Sequence, residues 1–235
     1  MQELRVNIYA DGANLQEIRK LQSEPMIKGF TTNPTLMKQA GVVDYLAFSE
    51  QVIEIIGDRP LSLEVFSDDF SEMKSQALKL RALGPNVYVK IPITDTKGTS
   101  SSGLIGELAR EGVQLNVTAM FTMKQVETTL TALRNGPKSF ISIFAGRIAD
   151  TGVDPIPVMK SALTSMRDQP QIQLIWASPR EVLNVVQAND IGCHVITVTP
   201  ELFKKLSGLG KDLHQFSLET VAMFANDAKN AGYTI

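Results

Sequence analysis

Apolar and β-branched residues collect in eight short runs along the chain. They are RVNIYA (5–10), KGFTTN (28–33), LSLEVF (61–66), VYVKIPI (87–93), QLNVTAMF (114–121), FISIFAG (140–146), QLIWAS (173–178) and HVITVT (194–199). Between them lie stretches whose apolar residues return every three or four positions, such as VDYLAFSEQVIEII, DDFSEMKSQALKLRAL, TMKQVETTLTAL, PIPVMKSALTSM and PREVLNVVQAND. The first pattern predicts strands and the second amphipathic helices. Regular alternation of the two predicts parallel strands joined by helical crossovers. Eight such units in 235 residues, near the roughly 250 typical of the closed form, predict one (β/α)8 barrel spanning residues 1–235. The rival is an open doubly wound sheet, but no G-x-G-x-x-G follows the first run.

Helix borders support the division. Ser67-Asp68-Asp69 offer a cap and first-turn acids. Ser178-Pro179 and Thr199-Pro200 each predict a capping hydroxyl followed by a proline at the first helical position. Residues 212–235 exceed the eight-fold alternation and predict a C-terminal helical extension, centred on FSLETVAMFANDAKNAG (216–232). Its stripe of Leu218, Val221, Ala222 and Ala225, widened by Met223 and Phe224, needs a partner surface. That surface is either the end of the barrel or, as the preferred reading, a neighbouring subunit.

Composition narrows the classes. A net charge of −2 gives no basic footprint, which argues against nucleic acid as a partner. No apolar run approaches the roughly 18 residues that span a bilayer, so no membrane partner is expected. The start, MQELRVNIYADG, lacks the features of a secretory leader, and the single Cys193 cannot form an internal disulfide. Both predict a cytoplasmic protein. With only His194 and His214 a multi-histidine metal site is nearly excluded, and neither metal nor cofactor is expected.

Parity along the strands then singles out a site. Successive strand side chains point to opposite faces. Leu61, Leu63 and Val65 oppose Ser62, Glu64 and Phe66; Val87, Val89 and Ile91 oppose Tyr88 and Lys90. Leu115 and Val117 oppose Asn116 and Thr118, and Ile141 and Ile143 oppose Ser142 and Phe144. The aliphatic parity must face the helices, so the polar parity points into the barrel. Asp11, after IYA, and Thr31 and Asn33, closing the second strand, join it near the C-terminal rim, where barrel enzymes build their sites. Such groups are costly to bury unless they pair or meet a ligand.

Lys90 is the most informative of them. Burial disfavours the charged form of an amine, and a neutral amine can condense with a ketone or aldehyde into a Schiff base. That adduct is an electron sink which lets the adjacent carbon–carbon bond break. The step needs a base on a substrate hydroxyl, for which Asp11 is a candidate, and a second acid–base group acting through water, for which Glu64 with Thr118 is suitable. Asn33 and Asn116 could hold sugar hydroxyls. A structural alternative is that Lys90 only pairs with Glu64 or Asp11.

At these residues the chain resembles the transaldolases, class I aldolase barrels that transfer dihydroxyacetone. YADGA around Asp11, GFTTNPTLM (29–37), SLEVF with Glu64, VYVKIPIT with Lys90, LNVTAMF with Asn116 and Thr118, SIFAGRIADTG (142–152) and WASPREV (176–182) match in order over nearly the whole chain. The length is that of the family's short branch, which includes fructose-6-phosphate aldolases and tends to form pentamers or decamers whose C-terminal helix reaches a neighbour. Those aldolases typically carry glutamine where Glu64 stands and tyrosine where Phe144 stands, so both positions favour a transaldolase. The resemblance implies a Schiff base on Lys90 and Asp11 acting on the C4 hydroxyl of a ketose phosphate such as fructose 6-phosphate. It implies that Asn33 and Asn116 hold the dihydroxyacetone unit, and that Glu64 and Thr118 position a water. An acceptor such as erythrose 4-phosphate would receive the unit.

A phosphate needs donors. Arg147 after the sixth strand and Arg180, expected in the first turn of the seventh helix, form a candidate clamp with Ser142 and Ser178 beside them. Thr31, Ser62 and Phe144 complete the candidate substrate-binding set. Either arginine could instead be a surface ion-pair partner. TDTKGTSSSG (94–103) lacks a P-loop pattern and is expected to be a mobile loop at the site's mouth. Cys193-His194 and Trp176 are expected to be structural.

Overall fold

The structure is a computed structural model that describes residues 4–234. Eight parallel strands close a barrel in sequence order. They are β1 (Asn7–Asp11), β2 (Ile27–Thr31), β3 (Leu61–Glu64), β4 (Val87–Pro92), β5 (Leu115–Met120), β6 (Ser139–Ile143), β7 (Ile172–Trp176) and β8 (Val195–Val198). Around them run α1 (Leu15–Gln22), α2 (Pro34–Gln39), α3 (Tyr45–Ile56), α4 (Phe70–Arg81), α5 (Ser102–Arg110) and α6 (Met123–Ala132), then α7 (Ala145–Ala149), α8 (Ile156–Ser165), α9 (Val182–Asp190) and α10 (Pro200–Lys205). A final helix, α11 (Leu213–Ala231), follows. The open-sheet alternative is thereby excluded: β1 pairs with both β2 and β8.

The parity expectation holds. Leu63, Val89, Val117, Ile141 and Trp176 belong to the large outer core between strands and helices, all of them fully buried. A second, smaller cluster occupies the barrel's interior. It comprises Tyr9, Tyr88, Phe140, Ile175, Ala177 and Val195, with Phe144 against it. The Tyr88 and Phe140 rings lie 4.4 Å apart, and Tyr9 meets Phe140 edge-on at 5.8 Å. Gly29 makes room for this plug: a Cβ there would stand 2.6 Å from Tyr9 Cζ.

Several local expectations change. Residues 144–146 leave the sixth strand, since Phe144 caps α7 and Ala145-Gly146 begin it. The seventh helix starts at Val182 instead of Pro179. Ser178 adopts a left-handed backbone (φ 59°), and the Asn184 side chain reaches back to accept the Arg180 and Glu181 amides at 2.7 and 3.2 Å. That bond holds residues 180–181 as the end of a loop, so Arg180 precedes the helix. The segment 94–103 is a loop, as expected, and it is braced by hydrogen bonds. Asp95 accepts the Lys97 and Thr99 amides, Thr94 bridges to Ser100, and Asp68 accepts both Thr96 N and Thr96 Oγ1. Its last residues enter α5, whose apolar stripe Leu104, Ile105 and Leu108 was not among the expected helices. Thr199 caps α10 as expected.

α11 matches the expected extension, but none of its residues is buried. Phe216, Leu218, Val221 and Phe224 are exposed, so the apolar stripe is not spent on the chain's own barrel.

Candidate active site

The site lies above the aromatic plug, one inward position further along the same strands. Tyr88 is followed at that position by Lys90, Tyr9 by Asp11, Phe140 by Ser142 and Val195 by Thr197. Two residues advance a strand by roughly 6.6 Å, which lifts these polar groups to the C-terminal rim. Register brings them together: Glu64 pairs with Lys90, Lys90 with Asn116, and Asp11 with Thr31.

Lys90 is buried, and its Nζ donates to the Thr32 carbonyl at 2.9 Å and meets Glu64 Oε2 at 3.1 Å. Of the two partners the sequence offers Lys90, the structure places Glu64 in ion-pair contact. The alternative of a paired Lys90 is thus present in the geometry, and it also serves chemistry. Glu64 stands close enough to take the ammonium proton, which would leave a neutral amine beside a carboxylic acid.

Asp11 is partly buried at the end of β1, and Thr31 Oγ1 donates to its Oδ1 at 2.7 Å. Burial raises its carboxyl above the ordinary carboxylate range; Lys90 and the Thr31 bond oppose that rise, and the Glu64 charge adds to it. A carboxyl moved toward neutrality suits a group that must both take and return a proton.

Asn116 is locked between two hydroxyls. Its Nδ2 donates to Ser62 Oγ at 3.0 Å, and its Oδ1 accepts from Ser142 Oγ at 2.7 Å. Ser142 by donating and Ser62 by accepting therefore orient this amide. Asn33 caps α2, with Oδ1 accepting the Leu36 amide at 3.0 Å, so its amide nitrogen is the free end. Thr118 Oγ1 is buried with no hydrogen-bond partner among the described residues. The next residue, Ala119, sits in a left-handed conformation (φ 60°) where the β5–β6 register shifts. Such a bulge re-aims neighbouring side chains and is common beside active sites.

The expected phosphate donors form a separate group on the rim. Arg147 is exposed on α7, with its guanidinium carbon 5.2 Å from the Phe144 ring centroid. Arg180 forms a two-point ion pair with Asp150, at 3.2 Å through Nε and 2.5 Å through a terminal nitrogen. α7 and the loop before α9 touch at Gly146, where a Cβ would lie 1.6 Å from the Ser178 carbonyl oxygen and 3.4 Å from Arg180 Cγ. Arg147 and Arg180 thus stand on adjoining segments, though Asp150 already matches one of the charges.

Two groups escaped the sequence. The Tyr45 hydroxyl donates to the Glu64 carbonyl at 2.8 Å and accepts the Glu64 amide at 2.9 Å, which clamps the end of β3. Nothing local marks it, because the contact joins a helix to a strand 19 residues away. Thr197 Oγ1 lies 2.5 Å from Thr31 Oγ1. Its inward parity in HVITVT was readable. Cys193 and His194 sit at the opposite end, as expected: burial pushes the Cys193 thiol up to about 12 and lowers the His194 pKa.

A family model described as transaldolase/fructose-6-phosphate aldolase matches residues 8–235. A probable transaldolase of Thermoanaerobacter sp. (strain X514) is 32% identical over 231 residues, covering 98% of this chain and 100% of that one. Probable transaldolases of Nitrosopumilus maritimus and Clostridium kluyveri are 34% and 35% identical, covering 86% and 82% of this chain and 87% and 86% of theirs. Among solved structures, a 2,3-dimethylmalate lyase matches with TM-score 0.55 at 11% identity, covering 99% of this chain and 85% of that chain. A protein of Burkholderia cenocepacia J2315 described as a putative lyase/mutase matches with TM-score 0.58 at 12% identity, covering 99% of this chain and 86% of that chain; these two share the fold alone. On the family model and the curated relatives, this chain belongs to the transaldolase/fructose-6-phosphate aldolase family.

Proposed function

We propose that this protein is a transaldolase of the class I type, transferring dihydroxyacetone from a ketose phosphate to an aldose phosphate. The observation that carries the reading is the buried Lys90 amine, 3.1 Å from Glu64, inside a polar rim that includes Asp11. Lys90 attacks the ketose carbonyl once Glu64 has taken its proton. Glu64 and the free Thr118 hydroxyl manage the water released and later consumed. Asp11 takes the C4 hydroxyl proton as the C3–C4 bond breaks, and the electrons pass to the iminium nitrogen. An aldose phosphate leaves, an acceptor aldose enters, and Asp11 returns the proton as the new bond forms. Asn116 and the Asn33 amide nitrogen hold the three-carbon unit, with Thr31, Ser62 and Ser142 orienting the groups around it. Phe144 walls the site.

The substrate phosphate binds Arg147 and Arg180 near Ser178, and exchanges with Asp150 as the partner of Arg180. In this reading residues 1–235 are one barrel domain with 212–235 as its helical extension. The exposed α11 stripe meets a neighbouring copy in a homo-oligomer, a pentamer or decamer by resemblance. The enzyme works in the cytoplasm, in the pentose phosphate pathway, without metal or cofactor, nucleic acid or membrane partner. No helix among the described residues is long and apolar enough to cross a membrane.

The test is borohydride trapping with fructose 6-phosphate, followed by mass mapping. An adduct on Lys90 is expected; a folded protein without one sinks the mechanism. A second reading, aldol cleavage that releases free dihydroxyacetone, is opposed by Glu64 and Phe144. Turnover with and without erythrose 4-phosphate separates the two, since a transferase needs the acceptor. A non-catalytic sugar-phosphate-binding barrel would bind fructose 6-phosphate yet show neither adduct nor turnover.

A further inference from the structure

Thr31 Oγ1 stands between two partners, Asp11 Oδ1 at 2.7 Å and Thr197 Oγ1 at 2.5 Å. Thr31 and Thr197 are both buried, on the strands that flank Asp11's own strand. A threonine hydroxyl carries one hydrogen and can accept through its lone pairs. When Asp11 is ionised, Thr31 must give that hydrogen to the carboxylate, so the short contact forces Thr197 to donate to Thr31. When Asp11 is protonated the order can reverse: the carboxyl donates to Thr31, and Thr31 donates to Thr197. Both states keep Asp11 hydrogen-bonded with the same heavy-atom positions.

We propose that Thr197 is a positioning residue for the proton-transfer step, anchoring a reversible hydroxyl chain that holds Asp11 in one orientation through both of its protonation states. This rests on the reading of Asp11 as the acid–base group. An acid–base residue that is used twice per turnover, once in each direction, gains from a neighbour able to donate or accept without moving. The charged groups around Asp11 are Lys90 of β4, Glu64 of β3, and Glu17 of α1, which lines the same small cleft. None of them lies on β8, so a change at position 197 leaves the charges in place. Valine would fill Thr197's volume in the strand equally well; only the hydroxyl distinguishes the proposal from packing.

The experiment compares Thr197→Val and Thr197→Ser with the wild-type enzyme. It measures kcat against pH, KM for fructose 6-phosphate, and borohydride trapping at Lys90. Thr197→Val should lower kcat about 10-fold, the rate equivalent of one hydrogen bond, with KM close to unchanged. The acid limb of its pH profile should move to higher pH: both states lose support, but the charged carboxylate loses more, because the hydrogen bond that Thr197 reinforces is stronger to a charged acceptor. Thr197→Ser should restore both rate and profile, and all three proteins should trap at Lys90. Should Thr197→Val not fold, Thr197→Ala replaces it with the same expected shift. An unmoved pH profile in the hydroxyl-free variant would overturn the proposal, as would a serine variant that fails to restore it. Absence of trapping in the wild-type protein would instead overturn the Schiff-base reading, and this inference with it.

Discussion

The lower and upper halves of the barrel interior come from the same strands and the same inward parity, yet they solve burial in opposite ways. Below, Tyr9, Tyr88 and Phe140 fill space with rings, and apolar contact carries the packing. Above, most of the polar side chains are matched to another: Lys90 to Glu64, Asn116 to Ser62 and Ser142, Asp11 to Thr31. The plug gives rigidity that does not depend on protonation. The rim keeps groups whose protons can move, and Thr118 keeps an unspent hydroxyl. Two residues along a strand are enough to pass from one regime to the other.

Substitutions can break this contrast. Lys90→Met should abolish the borohydride adduct and lower transfer about 10⁴-fold or more. It also strands Glu64 without a counter-ion, so its melting temperature should fall, and adding Glu64→Leu should restore it. A double variant no more stable than Lys90→Met alone would show that the pair is not a desolvated one.

Asp11→Asn should cost about 10²–10³-fold in kcat while raising stability. The folded-state pKa of Asp11 lies above its unfolded value, so its contribution is fully present below about pH 3.8 and lost as pH rises through the folded value. The variant's gain should therefore be absent at low pH and grow as the pH rises above about 3.8. Melting curves at several pH values check this, and a gain largest at low pH would contradict it.

Tyr45→Phe should lower kcat about 10-fold by loosening the end of β3, at a stability cost of roughly 1–2 kcal/mol. Phe140→Ala should reverse the pattern. It should cost about 3–5 kcal/mol in urea unfolding and leave kcat per folded molecule nearly unchanged. If Phe140→Ala reduced turnover more than Tyr45→Phe, the separation of plug from rim would be wrong.

Much of this was legible in the sequence, because both the alternation of elements and the parity within strands are local patterns. Glu64, Lys90, Asn116 and Thr118 follow from parity, and Asp11 from its place directly after the first strand's apolar run. What escaped was set by tertiary contact. Tyr45 acts across the helix–strand layer, and Asp150 meets Arg180 over a separation of 30 residues. The start of α9 was misread because Ser178-Pro179 looks like a cap, while the left-handed turn and Asn184 delay the helix to Val182. α5 was hidden by the Gly/Ser-rich composition before it, and the order in residues 94–103 comes from Asp68 and Asp95.

The contact at Gly146 has a consequence for how the substrate range can change. Since any side chain there would collide with the Ser178 carbonyl, helix α7 with Arg147 and the loop bearing Arg180 form one mechanical unit. Diversity introduced into one segment alone should mostly yield misfolded rims. Libraries that vary residues 147–150 together with 178–181, with Gly146 held fixed, are the route by which this scaffold could be taught a different sugar.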